Sequence, residues 1–212
     1  MMIRKCHKGE MQNIINVANR CFLPHRYNDF TFVNSVPSIY DNCHHDYSDI
    51  HFVIEEDNQM VAIGANLINE ITLNSQNYKF SRVGTIGTIV EYRNRGYMRE
   101  VMHAIDKDNL ENNVIFSLLE GDRDRYKIYG YEKACLFANY SFFKNQLKFL
   151  KKDYNVKVRE FEFNDFDAIY SLYLDKQKLI LRTREDFLLY LNHGYNKLYT
   201  ILCDDNIVGY FA

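Results

Sequence analysis

The stretch VEYRNRGYM, residues 90–98, lies between two segments with different hydrophobic patterns. RVGTIGTI, residues 82–89, is rich in β-branched residues and predicts a strand over 78–90. Met98 and the apolar residues of REVMHAIDKDNL, residues 99–110, recur at helical spacing, which predicts a helix over 96–110 with one buried face. The quoted stretch therefore joins a strand to the N-terminus of a helix.

This strand–helix junction has the composition of an anion site. A helix N-terminus presents backbone N–H groups without intrahelical partners, and the helix dipole adds to their attraction for negative charge. Gly96 allows a ligand to approach the backbone closely, and Arg93 and Arg95 add guanidinium groups that suit phosphate. The spacing fits neither a Walker loop nor a dinucleotide fingerprint. Spacing alone leaves two interpretations open: a phosphate or pyrophosphate site, and an ordinary turn with solvated arginines.

The whole sequence is typical of a globular protein with one large domain, or one domain and part of another. It has 212 residues, 47% of them hydrophobic, and a net charge of −2, which argues against a general nucleic-acid partner. The 5 cysteines show no CxxC spacing, as expected of reduced thiols. No apolar run approaches the roughly 18 residues of a membrane span, and the N-terminus lacks the apolar core of a signal peptide. We therefore expect a cytoplasmic protein without a membrane partner.

Strands and helices alternate on both sides of the junction. The pattern predicts a strand at 2–5, a helix at 9–22, a loop region with one short helix at 24–50, a hairpin from 51 with a further strand to about Leu73, a strand at 113–119, a turn or short helix at 121–131, a strand at 135–143 and a basic connector at 144–152. Hairpins beside strand–helix units predict an α/β or α+β fold with a mixed sheet.

The second half of the sequence repeats part of the first. VKVREFEF (156–163) is similar to the opening MIRKCHKG, NDFDAIYSLY (164–173) to GEMQNIINVA, and YTILCDDNIVGYFA (199–212) to HFVIEEDNQMVAIGA. This predicts two copies of one unit, a domain at 1–150 and an incomplete repeat at 155–212. The alternative is chance similarity among short strands. The repeat fits either a piece of a longer protein or a degenerate tandem.

Two motifs in the first half resemble a known family. IVEYRNRGYMREVM resembles the acetyl-CoA loop of the GCN5-related N-acetyltransferases (GNAT), whose pattern is [Q/R]-x-x-G-x-[G/A]. Arg93, Gly96 and Met98 occupy its fixed places, although Met98 replaces the usual small residue and Val90 stands where many members have proline. YKIYGYEKA, residues 126–134, is similar to the family's Y-x-[R/K]-[F/L]-G-[F/Y] segment. The motif sequence YRNRGYMREVM is most similar to the enhanced-intracellular-survival (Eis)-like branch, in which acetyltransferase units occur in tandem. The resemblance covers residues 2 to about 143.

The resemblance implies a fold and a cofactor site. The fold would be a mixed, mostly antiparallel sheet flanked by helices, in which the strand at 114–119 splays from that at 82–89 and opens a wedge for the cofactor. The backbone of 86–88 would pair with the pantetheine arm, the N–H groups of 94–99 would hold the pyrophosphate, and Gly121 and Asp122 would lie near the acetyl end. The residues expected to bind acetyl-CoA are Ile86, Gly87, Thr88, Arg93, Asn94, Arg95, Gly96, Tyr97, Met98, Arg99, Gly121 and Asp122.

The implied activity is transfer of acetyl from acetyl-CoA to a primary amine in a ternary complex. Tyr126 matches the tyrosine that protonates the leaving thiolate, and Tyr131 matches a packing aromatic; the alternative is that Tyr126 is also only packed. An amine of pKa about 10.4 is mostly protonated at pH 7, so losing its proton costs roughly 4–5 kcal/mol. A thiolate with a pKa near 8.5 can take a proton from a phenol, so tyrosine is a plausible donor. The candidate bases are Glu91, Glu120 and Asp122, because the terminal carboxylate used in the tandem branch cannot be assigned to Ala212.

The expected acceptor is a small polyamine, an aminoglycoside or a protein lysine. A cationic acceptor is slightly favoured by the acidic residues Asp41, Asp46, Asp49, Glu55 and Glu56. Two rival classes remain: a non-catalytic acyl-CoA-binding sensor or regulatory module, and an α/β domain without a ligand. A homo-oligomer is compatible with the sequence.

No metal is expected at CHHD, residues 43–46. Adjacent histidines point apart, and no second cluster completes four ligands, so contact with the acceptor is the better functional interpretation. The aromatic residues Tyr27, Phe30 and Phe32 would either line the acceptor pocket or pack in the core.

Overall fold

The computed structural model describes residues 2–22, 31–41, 45–134, 155–175, 179–191 and 197–211. Its strands are β1 (Met2–Lys5), β2 (His51–Glu56), β3 (Gln59–Leu73), β4 (Gln76–Thr88), β5 (Val114–Leu119), β6 (Val156–Glu160), β7 (Leu179–Ile180), β8 (Tyr199–Cys203) and β9 (Asn206–Phe211). Its α-helices are α1 (Met11–Phe22), α2 (Phe32–Ser35), α3 (Pro37–Tyr40), α4 (Tyr97–Glu111), α5 (Arg123–Tyr126), α6 (Phe166–Leu174) and α7 (Arg184–Leu191). The predicted strand at 135–143 and connector at 144–152 lie outside the described residues.

The chain divides into two compact units. The first is Met1–Glu120 with Leu174–Asn196, and the second is Gly121–Tyr173 with Lys197–Ala212. The predicted domains, 1–150 and 155–212, stay a prediction, because residues 135–154 lie outside the described part of the chain.

The first unit contains a mixed sheet in the order β1-β2-β3-β4-β5, with β7 paired to β3. The pairs β1–β2, β2–β3 and β3–β4 are antiparallel, whereas β4 and β5 are parallel. Both β2–β3 and β3–β4 turn through two residues with positive φ, Asp57–Asn58 and Asn74–Ser75, a geometry that matches the strand twist. The predicted mixed, mostly antiparallel sheet is therefore confirmed. In the described part of the predicted loop region at 24–50, the structure has two short α-helices, α2 and α3, and a 3-10 turn, Ser48–Ile50, where one short helix was predicted.

The central strands β4 and β5 separate part of the way along β4. Their last register pair is Val83 with Leu119, whereas β4 continues to Thr88. Over 84–88, β4 has β3 on one side and no strand on the other within the described ranges. This is the wedge expected of the splayed strand pair.

Helices cover both faces of the first sheet. On one face, α1 buries Met11, Ile14 and Val17 in a cluster that includes Ile63 of β3. On the other face α4 buries Val101, Met102 and Ile105. The helix lies so close to β3 that a Cβ on Gly64 would be 2.4 Å from Val101 Cγ1.

The second unit contains a three-stranded antiparallel sheet, β6-β8-β9, with α6 following β6 in the chain. It therefore repeats the β–α–β–β order in which the first unit begins. A hydrogen-bonded ion pair repeats as well: Arg4 binds both oxygens of Glu10 at 2.8 and 2.7 Å, and Arg159 binds both oxygens of Asp165 at 2.6 and 2.7 Å. The turn Asp204–Asp205, with φ of 48° and 62°, corresponds to Asp57–Asn58. The internal repeat stays a prediction, with which these shared contacts are compatible.

Candidate functional site

The backbone of β4 beyond Val83 forms an edge that pairs with no further strand among the described residues; we call it the open edge. The N–H of Ile89 donates to the Val61 carbonyl of β3 (3.0 Å), so Ile89 faces β3. Because residues of an antiparallel strand alternate in direction, Thr88 faces away from β3, toward the side that β5 has left. The Thr88 carbonyl accepts from Arg93 Nε (3.2 Å), and Ile86 lies where the register between β3 and β4 shifts. An edge of this kind can pair with an extended chain of amide groups.

A bulge marks the start of the open edge. The register changes from Ala65 paired with Gly84 to Ile63 paired with Gly87, which leaves an extra residue on β4. Thr85, inside the bulge, has φ of 51°, an unusual conformation for a β-branched residue. Such strained positions concentrate at functional sites.

The open edge leads into the N-terminus of α4. After Ile89 the chain makes a 3-10 turn, Val90–Tyr92, and reaches Gly96, which has φ of 82° and directly precedes the helix. The carbonyl of Gly96 accepts from Arg99 and Glu100 at 3.0 and 3.3 Å, so the helical bonds begin there. The N–H groups of Gly96, Tyr97 and Met98 find no acceptor among the described residues. Together with the helix dipole, these three donors make a site for a phosphate group.

The three arginines of this segment differ in their partners. Arg93 donates to the carbonyls of Thr88 (3.2 Å) and Cys21 (3.4 Å), so its guanidinium braces the end of β4 against α1. Arg95 donates to Glu56 Oε1 (2.8 Å) and lies over the Tyr92 ring at 4.9 Å. Arg99 is more open than Arg95: its side chain is 65% exposed, against 47% for Arg95, and its ion pair with the neighbouring Glu100 spans 3.6 Å.

Glu56, at the end of β2, is a residue that the sequence analysis did not connect with this segment. It accepts hydrogen bonds from Arg95 and from the hydroxyl of Tyr97. The hydrogen bond to Glu56 raises the pKa of Tyr97, so this phenol stays protonated. Tyr97 is 5% exposed, and its side chain anchors the start of α4 to the β2–β3 hairpin. Its backbone N–H, rather than its side chain, belongs to the anion site.

The remaining predicted site residues, Gly121, Asp122 and Tyr126, belong to the second unit. Asp122 caps α5, since its Oδ1 accepts from the N–H of Asp124 (2.9 Å). Tyr126 is 7% exposed and packs edge-on against Tyr131, with ring centroids 6.3 Å apart. Burial raises the pKa of Tyr126. The phenol is therefore protonated at neutral pH, as a general acid must be before it acts.

The acidic residues that suggested a cationic acceptor are largely engaged within the first unit. Glu55 accepts from Arg4 (2.6 Å), and Glu56 is paired with Arg95. Asp46 accepts from two backbone N–H groups at 2.6 and 2.9 Å. Their charges already have partners, so the charge pattern gives less support to a cationic acceptor than the sequence implied.

The structure describes only some residues of the histidine pair and of the aromatic run. The His45 ring contacts the Tyr47 ring in a tilted arrangement (4.4 Å between centroids), whereas residues 43 and 44 lie outside the described part of the chain. No group of three or more metal-ligating side chains occurs within the residues that the structure describes. Phe32 packs in the core between Phe22 and Tyr40, at 5.2 and 5.0 Å, and the predictions for 27 and 30 lie outside the described ranges. Among the described helices, none is long and apolar enough to cross a membrane.

The sequence of residues 2–134 matches the family model of the acetyltransferase (GNAT) domain. This match spans more than half of the 212 residues and includes β1 to β5, the open edge and the start of α4. No curated protein sequence is significantly similar to the chain.

Several solved structures share the fold. A probable N-acyltransferase from Enterococcus faecalis V583 aligns with a TM-score of 0.73 and 16% identity, covering 99% of this chain and 54% of that protein. Eis1 from Mycobacterium abscessus aligns with a TM-score of 0.61 and 11% identity, covering 98% of this chain and 52% of Eis1. A predicted acetyltransferase from Clostridium acetobutylicum, solved with acetyl-CoA, aligns with a TM-score of 0.55 and 14% identity, covering 66% of this chain and 95% of that protein. The chain spans about half the length of the first two proteins, and at these identities the likeness is one of fold.

Proposed function

The chain belongs to the GNAT family of acetyltransferases, and on this premise we propose that it binds acetyl-CoA and transfers the acetyl group to a primary amine. The observation that carries the proposal is the continuity of two features. The open edge of β4 leads through a glycine-containing turn into a helix N-terminus at which three N–H groups have no acceptor among the described residues. An extended amide arm that ends in a pyrophosphate needs these two features in this order.

The pantetheine arm would add to β4 as an extra strand. Thr88 would offer its N–H, and Ile86, beside the register shift, would add a backbone donor and acceptor. The amides of pantetheine can pair with such groups as an added β-strand does. Gly87, between them, faces α1, where a Cβ would lie 2.7 Å from Cys21 Cβ, so its absent side chain serves packing.

The pyrophosphate would lie at the start of α4. The N–H groups of Gly96, Tyr97 and Met98 point to one region, and anions are stabilised there by the helix dipole. A Cβ at Gly96 would have only Arg99 Nη2, at 3.7 Å, as a near neighbour among the described atoms, so there is space above this backbone. Arg99 would contribute its charge from the exposed side of the turn.

The chemistry would be direct attack of a neutral amine on the thioester. The nitrogen forms a bond to the acetyl carbon, the carbon–sulfur bond breaks, and the sulfur takes a proton from Tyr126. The nitrogen loses its proton to a base, for which Glu91, Glu120 and Asp122 remain the candidates. Burial raises the pKa of Tyr126, which keeps the phenol protonated but makes it a weaker acid than a free tyrosine, so the family motif rather than this shift supports its role. The acceptor would be a small amine or a protein lysine.

The test is release of CoA from acetyl-CoA by the full chain in the presence of a polyamine, an aminoglycoside or a lysine peptide. Tyr126→Phe should reduce turnover while leaving acetyl-CoA affinity unchanged. Tyr129→Phe, in the adjoining 3-10 turn, is a matched control that should keep turnover. Full turnover in Tyr126→Phe would remove the assignment of the acid. Tight cofactor binding without turnover on any amine would instead favour an acyl-CoA-binding regulatory module.

A further inference from the structure

Three side chains in the first unit form a buried hydrogen-bonded chain that ends at the open edge of β4. His51, at the start of β2, is 0% exposed, and its Nε2 lies 3.1 Å from the hydroxyl of Tyr40. Tyr40, in α3, is 2% exposed, and its hydroxyl lies 2.6 Å from Thr85 Oγ1. Thr85 is the half-buried residue of the β4 bulge.

The surroundings of His51 fix the direction of every hydrogen bond in this chain. Its Nδ1 lies 3.0 Å from the Tyr47 carbonyl and 3.3 Å from the Ser48 carbonyl, so Nδ1 must carry the hydrogen. In a neutral ring, Nε2 is then an acceptor, and the Tyr40 hydroxyl donates to it. The Tyr40 oxygen, in turn, accepts from the hydroxyl of Thr85. The single hydrogen of Thr85 is used, and only lone pairs of its oxygen remain for another partner.

Burial keeps His51 and Tyr40 neutral, so the direction of these hydrogen bonds does not change near physiological pH. It lowers the pKa of His51 to about 4 and raises the pKa of Tyr40. Neither group gains or loses a proton between pH 5 and pH 8. Thr85 is therefore held as an acceptor throughout this range.

The position of Thr85 gives this acceptor a use. Thr85 lies in the part of β4 that β5 has left, two residues after their last register pair, and its φ of 51° is costly for a threonine. A β-branched residue at such a φ persists where the surrounding structure holds it in place. Here, Tyr40 and His51 supply that support.

We propose that Thr85 accepts a hydrogen bond from an N–H of the attacking amine, and that Tyr40 and His51 are positioning residues that keep its lone pairs available. This inference rests on the proposed acetyl transfer. A primary amine about to attack has one lone pair for the thioester and N–H groups that need acceptors. A hydroxyl that can only accept orients the nitrogen without competing for that lone pair. The site would thus select a neutral amine over a nucleophile that has no N–H to donate.

The experiment compares variants of the full chain with the best amine found in the turnover assay. Thr85→Val removes the hydroxyl at constant shape, Thr85→Ala also removes the branch at Cβ, and Thr85→Ser keeps the hydroxyl. We expect Val and Ala variants to lose about tenfold in kcat/KM for the amine, as for one hydrogen bond, with unchanged affinity for acetyl-CoA. Thr85→Ser should stay within about threefold of the wild type. Tyr40→Phe should give an intermediate loss.

Nitrogen NMR of His51 tests the direction of the hydrogen bonds from Thr85 through Tyr40 to His51, and it needs no turnover. We expect the Nδ1–H tautomer from pH 5 to pH 8. The Nε2–H tautomer would reverse the chain and overturn the proposal, as would Thr85→Val and Thr85→Ala with wild-type kcat/KM. A wild type that acetylates no amine would refute the proposed function and this inference together. Turnover that is unchanged by substitution of Thr85 would refute this inference alone.

Discussion

Gly64 and Gly84 lie on facing strands at the β4 bulge, and the structure predicts opposite effects of an added methyl group at the two positions. A Cβ at Gly64 would lie 2.4 Å from Val101 Cγ1 and 2.7 Å from Ile86 Cδ1. Val101 is β-branched, 1% exposed and fixed on α4, so the helix or the sheet must move. A Cβ at Gly84 would meet no described atom within 4 Å, and its φ is not positive.

Overpacking of this kind costs about 1–3 kcal/mol of unfolding free energy. Gly84→Ala should be neutral or stabilise the protein by about 0.4–1 kcal/mol, because alanine restricts the unfolded chain. Urea unfolding measures both variants, and we expect the midpoint to fall for Gly64→Ala and not for Gly84→Ala, at equal m-values. Gly64→Ala should also weaken acetyl-CoA binding, since it displaces Ile86. Equal midpoints for the two variants would refute the packing of α4 on β3 described above.

Three further predictions follow from glycine geometry and buried charge. Gly96 and Gly9 have φ of 82° and 89°, a conformation that is costly for alanine. Gly96→Ala and Gly9→Ala should therefore each lose about 1–2 kcal/mol of stability in urea unfolding. Only Gly96→Ala should also lose affinity for acetyl-CoA in calorimetry. Burial lowers the pKa of His51 from 6.5 to about 4, so the unfolded chain binds the proton first and stability falls as pH drops from about 6.5 to 4. Between pH 7 and pH 5 the wild type should lose about 2 kcal/mol more than His51→Gln in urea unfolding, and parallel pH profiles would contradict this. Arg159 holds the pKa of Asp165 at about 2, so this carboxylate stabilises the fold above about pH 4, and this stabilisation is lost as the pH falls toward 2. Because Asp165 is only 4% exposed, Asp165→Asn should lower the thermal midpoint more than Glu10→Gln does. The reverse order would contradict the burial of the ion pair.

The sequence predicted the parts of the site that depend on local pattern. The β-branched run before residue 90, the helical spacing after Gly96 and the two family motifs located the strand, the helix and the glycine between them. The repeated β–α–β–β order was also visible, because each strand and helix in it is a short local signal. The contacts that are compatible with the repeat, such as those of Arg159 with Asp165, join residues close in sequence.

The parts that the sequence did not predict depend on residues far apart in the chain. Glu56 reaches Tyr97 across 41 positions, and Arg93 reaches the Cys21 carbonyl across 72. Thr85 was seen only as one more β-branched residue of a strand, because a bulge is set by the register with β3 and not by local composition. The partners of the arginines were not predicted for the same reason. Arg93 and Arg95, which the pattern singled out, have contacts within the first unit, whereas the Arg99 side chain is 65% exposed.

Titration of acetyl-CoA into the full chain by calorimetry tests the central claim most directly. The wild type should bind with a dissociation constant of about micromolar order. Gly96→Asp should abolish binding, because aspartate tolerates the left-handed backbone of Gly96 but places a negative charge at the three N–H groups that have no acceptor among the described residues. Gly9→Ala should bind as the wild type does. A folded wild type that does not bind acetyl-CoA, or a Gly96→Asp variant that binds it equally well, would contradict the assignment of the β4 edge and the start of α4 as the cofactor site.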